Sequence, residues 1–463
     1  MKKILLLFLL YLTVFITVGC NEIVSSTTTQ STTSTTTTQT TTTQTTTTTT
    51  TGKGNTPLVI LNKLNKTLEN EKRACFEFFW NEQSSEEDAL GYGLIPDRYP
   101  NNGLASIASV GFGLAAFPIG VESGYITFEE GYERTLNTLI SIQNLVQVEG
   151  FYYHFYNYYT SLPSKGSEIS VIDTAILICG ALTSAQYFQG EVLEEAYKMY
   201  DAVNWPWYVN PKTHQFYMTY KPEESSHAGA WDYYAEQLML YFLGAGSRTY
   251  PTSKIEYDSF RKQKGYMGEY EFIHSWFGSI FTHQFSHAFI DFRNIVDEQG
   301  IDWYDNSVQA TYGAQFYATT LTSTYPTLGT LAWGFTACDG PNGYSGLYGS
   351  APSGANNKSH VVDGTVPPAG ALGSLPFAPD IVIPTANYYA KLYDGELIGE
   401  YGFVDAFNFE GRTPWIANDV IGIDKGVSLL MIANYETNFV WNYFMQNEIM
   451  DVAIERLNFS YKE

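Results

Sequence analysis

Ser167-Glu-Ile-Ser-Val-Ile-Asp-Thr-Ala-Ile-Leu-Ile-Cys-Gly-Ala-Leu182 is apolar over most of its length, with its acidic residues gathered at the head. A run that is apolar on every side reads as a helix buried all round, here spanning 169–187. Glu168 and Asp173 sit at its N-terminal end with Ser167 as a candidate cap, where orphan amides and the helix dipole favour an anion. Working outward, further helical periods fall at 59–80, 107–119, 127–144, 191–202, 230–243, 281–298, 306–318, 384–393 and 427–444, separated by loops marked by Gly and Pro. Strand-like alternation is sparse. The fold class is therefore all-α. About a dozen helices in pairs around one axis is the pattern of an (α/α)6 toroid, whose helix ends and loops form a central cleft; an irregular large helical bundle is the alternative.

The N-terminal end reads differently. Lys2 and Lys3, an apolar stretch over 4–18 and Val18-Gly19-Cys20 have the form of a lipoprotein signal over 1–20, with Cys20 as the lipidated residue. Residues 21–56 are a tether whose Ser25–Thr51 stretch is almost wholly Thr, Ser and Gln, too poor in apolar groups to offset the entropy of ordering. Fully extended, that stretch reaches about 85 Å. The expectation is an exported protein, lipid-anchored to the outer face of a bacterial membrane, with one domain over 57–463 that is monomeric.

With 48 acidic against 25 basic residues, a net charge of −23 argues against nucleic acid or anionic lipid as partners of the globular part. A neutral ligand fits better. Aromatic residues make up 16% of the chain, and planar rings with polar rims suit carbohydrate, although an aromatic-rich core has the same composition. Beyond Cys20 the cysteines are Cys75, Cys179 and Cys338, an odd and scattered trio expected to be free thiols.

Hydrolysis of a glycoside needs one carboxylic acid to protonate the leaving oxygen and a second carboxylate to activate water or attack. Acidic residues in apolar surroundings are the candidates, because desolvation raises a carboxyl pKa. Glu168 is one. Glu236 is another, in Trp231-Asp-Tyr-Tyr-Ala-Glu-Gln-Leu-Met-Leu-Tyr241, where helical spacing would place Asp232 and Glu236 on one face. Asp405 and Asp424 are loop carboxylates near glycine. In His283-Gln-Phe-Ser-His287-Ala-Phe-Ile-Asp291-Phe-Arg293, a helix would stack His283, His287 and Asp291 on one face. A sugar-binding wall, a structural ion network and a metal site short of its usual fourth ligand all match that spacing; no metal and no cofactor is expected. Nucleophile elbows, P-loops, dinucleotide fingerprints, zinc-protease helices and calcium loops are missing from the sequence.

These segments resemble the bacterial glycoamylase-like family, which includes the endo-β-1,2-glucanases of glycoside hydrolase family 144 and a domain of cyclic β-1,2-glucan synthases. The resemblance runs through Ser106–Leu114, Phe151-Tyr-Tyr-His-Phe155, Glu168–Ala175, His283–His287, Ile290–Arg293, Thr336–Pro341, Pro376–Pro379, Tyr401–Asn408 and Gly422–Gly426. It implies an (α/α)6 fold and metal-independent, inverting hydrolysis of β-1,2-glucan or its oligosaccharides. It puts Glu168, Glu236 and Asp424 at catalytic positions. Substrate contacts are then expected from His154, Asp173, Trp231, Tyr234, Trp276, His283, Gln284 and His287, and from Asp291, Arg293, Trp333, Asp339, Phe377 and Asp405. Two departures stand out: Asn157-Tyr158 follows Phe155 where the family has an acid, and Trp-x-Gly-Tyr-Asn-Glu reads Trp231-Asp-Tyr-Tyr-Ala-Glu236. A sugar-binding lipoprotein with a degenerate cleft, or a phosphorylase or transglycosylase on the same scaffold, are the other functions compatible with the sequence.

Overall fold

The computed structural model describes residues 59–86, 88–355 and 361–462. Cys20 and the Thr-rich tether lie outside them. The helices are α1 (Lys66–Glu82), α2 (Ile107–Glu122), α3 (Phe128–Ile142), α4 (Val171–Phe188), α5 (Gly190–Ala202), α6 (Leu238–Gly246), α7 (Lys254–Asp258), α8 (Phe285–Phe289), α9 (Trp303–Thr320), α10 (Pro368–Leu372), α11 (Pro379–Tyr389), α12 (Gly422–Thr437), α13 (Phe439–Phe444) and α14 (Glu448–Arg456). Strands are two to four residues long and form small antiparallel pairs among the described residues.

Helices α2 and α4 are buried along nearly their whole length, as all-round apolar sequence demands. They touch backbone to backbone. A Cβ on Gly180 would overlap the carbonyl of Gly111, so only glycine permits this approach. α12 packs on both α1 and α2, and a Cβ on Gly426 would meet the ring of Phe112.

Short strands lead into the three central helices and bring their N-termini to one end of the molecule. Leu104–Ser106 pairs with Phe155–Asn157, Ile169–Ser170 with the Thr219–Lys221 strand, and Val420–Ile421 with Arg98–Tyr99. Three backbone bonds knit these entries together: Ile107 N–H to His154 O at 3.1 Å, His154 N–H to Glu168 O at 2.9 Å and Gly422 N–H to Asp97 O at 2.7 Å.

Three expected helices are cut. The 230–243 segment becomes helical only at Leu238, leaving Asp232 and Glu236 outside the helix and off any shared helical face. The 281–298 segment is a 3-10 turn, Ile280–His283, followed by the five residues of α8. Tertiary donors stop it: Trp441 Nε1–H bonds the His287 carbonyl at 2.6 Å and Asn434 Nδ2–H that of Ala288 at 3.0 Å. The 427–444 segment breaks at Asn438, which takes a left-handed conformation with φ 56° and accepts Arg293 Nη1–H at 2.9 Å. The cap of α4 is Ser170, not Ser167, and Glu168 lies ahead of the helix, just before the Ile169–Ser170 strand.

Candidate active site

Carboxylates from six separate segments gather where the central helices begin. On one side His154 lies between two of them, with Nδ1 3.1 Å from Glu168 Oε1 and Nε2 3.8 Å from Asp173 Oδ1, its ring stacked on Phe155. Burial opposes the imidazolium, but Asp173 and Glu168 outweigh it and push the His154 pKa up to about 9. The reciprocal effect holds Glu168 below its usual range despite its own desolvation. Asp173, in the first turn of α4, accepts the Ser170 hydroxyl; burial raises it even so. Glu168 is therefore a committed anion.

Glu236 is the opposite case. It sits in the turn just before α6, and Ser286 of α8 pins that turn by donating to the Glu236 carbonyl while accepting Met239 N–H at 3.0 Å. Among the described residues no side chain hydrogen-bonds the Glu236 carboxyl. Desolvation, reinforced by the charge of Asp173, pushes it up to about 7. Asp232 is elsewhere, paired on the surface with Arg261 at 2.6 Å.

The other side is built on Arg98 and α12. Arg98 Nη1 reaches Asp339 at 2.9 Å and Asp419 at 2.7 Å, and Nε reaches Asp97 at 3.2 Å. Asp424, in the first turn of α12, is pushed up to about 6, first by burial. Asp339 is pushed up to about 7, by burial and then by Asp405. A tight hairpin, Cys338 paired with Ser345, carries Tyr344, whose side chain is partly open to solvent and whose hydroxyl feels Asp424, Asp97 and Asp405. Asp97, Arg98, Asp419 and Tyr344 carried no signal in the sequence. The partners of Arg98 are 241 and 321 residues away, beyond any spacing argument.

Several expected substrate contacts are instead scaffold. His283 and His287 are 3% and 1% exposed, and burial drives both down to about 3, so they are neutral. His283 Nδ1 meets the Tyr234 hydroxyl at 3.3 Å, and His287 Nε2 meets Ser307 Oγ at 3.0 Å. Gln284 donates to Gly370 O and Ser374 Oγ, Trp333 to Thr385 Oγ1, and Phe377 packs edge-on to His287. Asp291 and Arg293 lie past α8, locked in a two-pronged ion pair with Arg293 over the Trp441 ring. His283, Gln284, His287 and Trp333 are buried, whereas the paired Asp291 and Arg293 side chains stay partly exposed. Trp231 is 6% exposed, whereas Trp276 is 42% exposed beside Tyr233 and Arg261. Asp405 is buried at 3% exposure. Asn157 spends its side-chain oxygen on the Tyr159 and Thr160 amides and the Thr160 hydroxyl, so the departure after Phe155 shapes a turn.

Residues 228–448 match the profile of the family described as Glycoamylase, a span that includes Glu236 and Asp424 but not Glu168. An exo β-1,2-glucooligosaccharide sophorohydrolase (non-reducing end) of Parabacteroides distasonis is 25% identical over 84% of this chain; the chain spans 57% of that relative's length. The endo-β-1,2-glucanase of Chitinophaga pinensis, solved with sophorotriose and glucose, superposes with a TM-score of 0.76 at 22% identity, over 86% of this chain and 99% of that one. A β-1,2-glucanase structure from Parabacteroides distasonis gives 0.73 at 24% identity, over 85% and 60%. The helix-rich fold is thus the one these glucanase structures have, and residues 228–448 are similar in sequence to the Glycoamylase family.

Proposed function

We propose that this chain is a glycoside hydrolase of β-1,2-glucan or its oligosaccharides, acting with inversion on an (α/α)6 toroid. The relatives' names supply the substrate class. The observation that carries the chemistry is Glu236, a desolvated carboxyl that no side chain engages, poised near pH 7. A general acid needs a proton at working pH and freedom to give it away, and Glu236 meets both conditions. Glu168 does not, because the His154 imidazolium fixes it as an anion; its role is to orient substrate together with Asp173.

In this reading Glu236 protonates the departing glycosidic oxygen. Asp424 takes the proton from the attacking water, which approaches the opposite face of the sugar, and the anomeric configuration inverts. Trp276 offers a ring for sugar stacking at the cleft edge. Export, attachment of the lipid at Cys20, the long tether and a monomeric state complete the proposal, and they suit an enzyme reaching polymer outside the cell.

The test is incubation of the purified globular part with β-1,2-glucan, with and without phosphate, following products by NMR. Release of reducing sugar of inverted configuration, independent of phosphate, is the expected result. Sugar phosphate would make the chain a phosphorylase. Saturable binding without products would make it a sugar-binding protein, the reading favoured by the turn that Asn157 builds in place of an acid.

A further inference from the structure

Asp405 and Asp424 meet side chain to side chain in hydrogen-bonding contact. Asp405 Oδ2 accepts the Asp339 amide at 2.7 Å, while Asp405 Oδ1 and Asp424 Oδ2 are both buried with no donor among the described residues. Two carboxylates in contact in a poorly solvated site cannot both ionise, as the acid pairs of aspartic proteases illustrate. A single proton between them satisfies both orphaned oxygens at once.

The surroundings decide which carboxyl keeps it. Asp424 stands in the first turn of the sixteen-residue α12, where the helix dipole favours an anion. Its neighbour Lys425, held by Glu71 at 2.8 Å and the Phe403 carbonyl at 2.6 Å, lowers it further, against the opposing charges of Asp339 and Asp97. Asp405 instead faces the charges of Asp424 and Asp419. Arg98 is engaged by Asp97, Asp339 and Asp419, and the hairpin contributes the buried Cys338, whose thiol burial pushes up, and the partly exposed Tyr344.

We propose that Asp405 is a positioning residue: it retains its proton and donates it as a hydrogen bond to Asp424, fixing that carboxylate's orientation and holding it ionised. The role rests on reading Asp424 as the base. A charge-assisted hydrogen bond of this kind is stronger than a neutral one, so its loss is measurable.

Three variants separate the alternatives. Asp405→Asn keeps a donor toward Asp424 and an oxygen toward the Asp339 amide, and should stay within about threefold of wild-type kcat/KM with an unmoved acidic limb of the pH profile. Asp405→Ala should lose about tenfold or more in kcat, with KM little changed and the acidic limb shifted up by about one pH unit. Asp424→Asn should lose on the order of 10²–10⁴. The proposal falls if Asp405→Asn is as inactive as Asp424→Asn, since Asp405 would then act through its own carboxylate. It also falls if the limb of Asp405→Ala moves down, because Asp405 would have been anionic, or if that variant changes only its melting temperature. Infrared spectra of the substrate-free protein at pH 8.5 give a readout that needs no turnover: the wild type should show a protonated-carboxyl band that Asp405→Asn lacks. No difference in that band overturns the proposal, even where Asp405→Ala fails to fold. A wild type that leaves β-1,2-glucan intact would defeat the proposed function while the infrared result still locates the proton.

Discussion

Two regions of this molecule set ionisable side chains among aromatic rings and put them to opposite uses. Around His283 and His287 every approach is closed, the rings are neutral, and most polar atoms are bonded to other parts of the protein. Around Glu236 and Asp424 the carboxyls are desolvated and pushed up toward neutral pH. What separates them is the charge their surroundings allow: burial leaves both histidines neutral, whereas the carboxyls are pushed to where a proton can be gained or lost near neutral pH. The two regions are joined, because Ser286, next to His287, clamps the turn that carries Glu236.

The largest effect expected from this contrast is at Glu236. Glu236→Gln is nearly isosteric, breaks no side-chain hydrogen bond and keeps an oxygen for the residue's own amide, and should lower kcat on the order of 10²–10⁴ with KM and melting temperature nearly unchanged. Near-normal turnover would move the acid elsewhere and erase the distinction. His287→Ala should behave in reverse. It opens a cavity beside Phe292 and Phe377 and strips Ser307 of its partner, costing about 2–4 kcal/mol in denaturant unfolding while turnover per folded molecule holds. A large kcat loss in a fully folded His287→Ala would return that histidine to the site.

Stability against pH sharpens the comparison, because the histidines of the two regions are shifted in opposite directions. The folded pKa of His154, about 9, lies above the ordinary 6.5, so its stabilisation is complete below pH 6.5 and is lost as pH rises toward 9. His283 and His287, near 3, are depressed, so they favour the fold above pH 6.5 and weaken it as pH falls from 6.5 toward 3. Urea titrations across pH 4–9 should show His154→Gln flattening the alkaline side only. A flattened acidic side instead would reverse the assignment of charge. The smallest effect is expected from chelation: activity should survive EDTA, and loss that zinc restores would give the His283 region a metal.

Much of the scaffold is legible from sequence where burial is complete. The α2 and α4 segments are apolar on all faces, no alternative structure buries them as well, and their boundaries fall within a few residues of the periodic pattern. The failures share one physical cause. At 281–298 and 427–444 the periodicity is real, but distant donors from Trp441, Asn434 and Arg293 capture the backbone carbonyls or the Asn438 side chain, and the helices stop there. At 230–243 the aromatic residues are fixed by tertiary bonds, Tyr233 to Gln263 and Tyr234 to Arg261, before the helix begins. Glu168 and Glu236 stood out because acids in apolar company are rare, whereas Asp424 read only as a loop carboxylate near glycine and became a candidate through the family resemblance. Arg98 did not stand out, since a charged pair between Pro96 and Pro100 looks like any loop and its meaning lies in partners hundreds of residues away.

The contact of Gly111 with Gly180 has a consequence for how this scaffold can diversify. Because two backbones meet there with no side chain between, the spacing of α2 and α4 is set by atoms that every residue shares, and cannot be tuned by exchanging one side chain for another. The Phe155–Asn157 strand with the turn that follows it, and the segment that carries Glu168, lead off those helix ends as replaceable parts. A new saccharide preference can therefore be installed by grafting these loops from a relative, whereas changing the helix pair would dismantle the frame that every such graft needs.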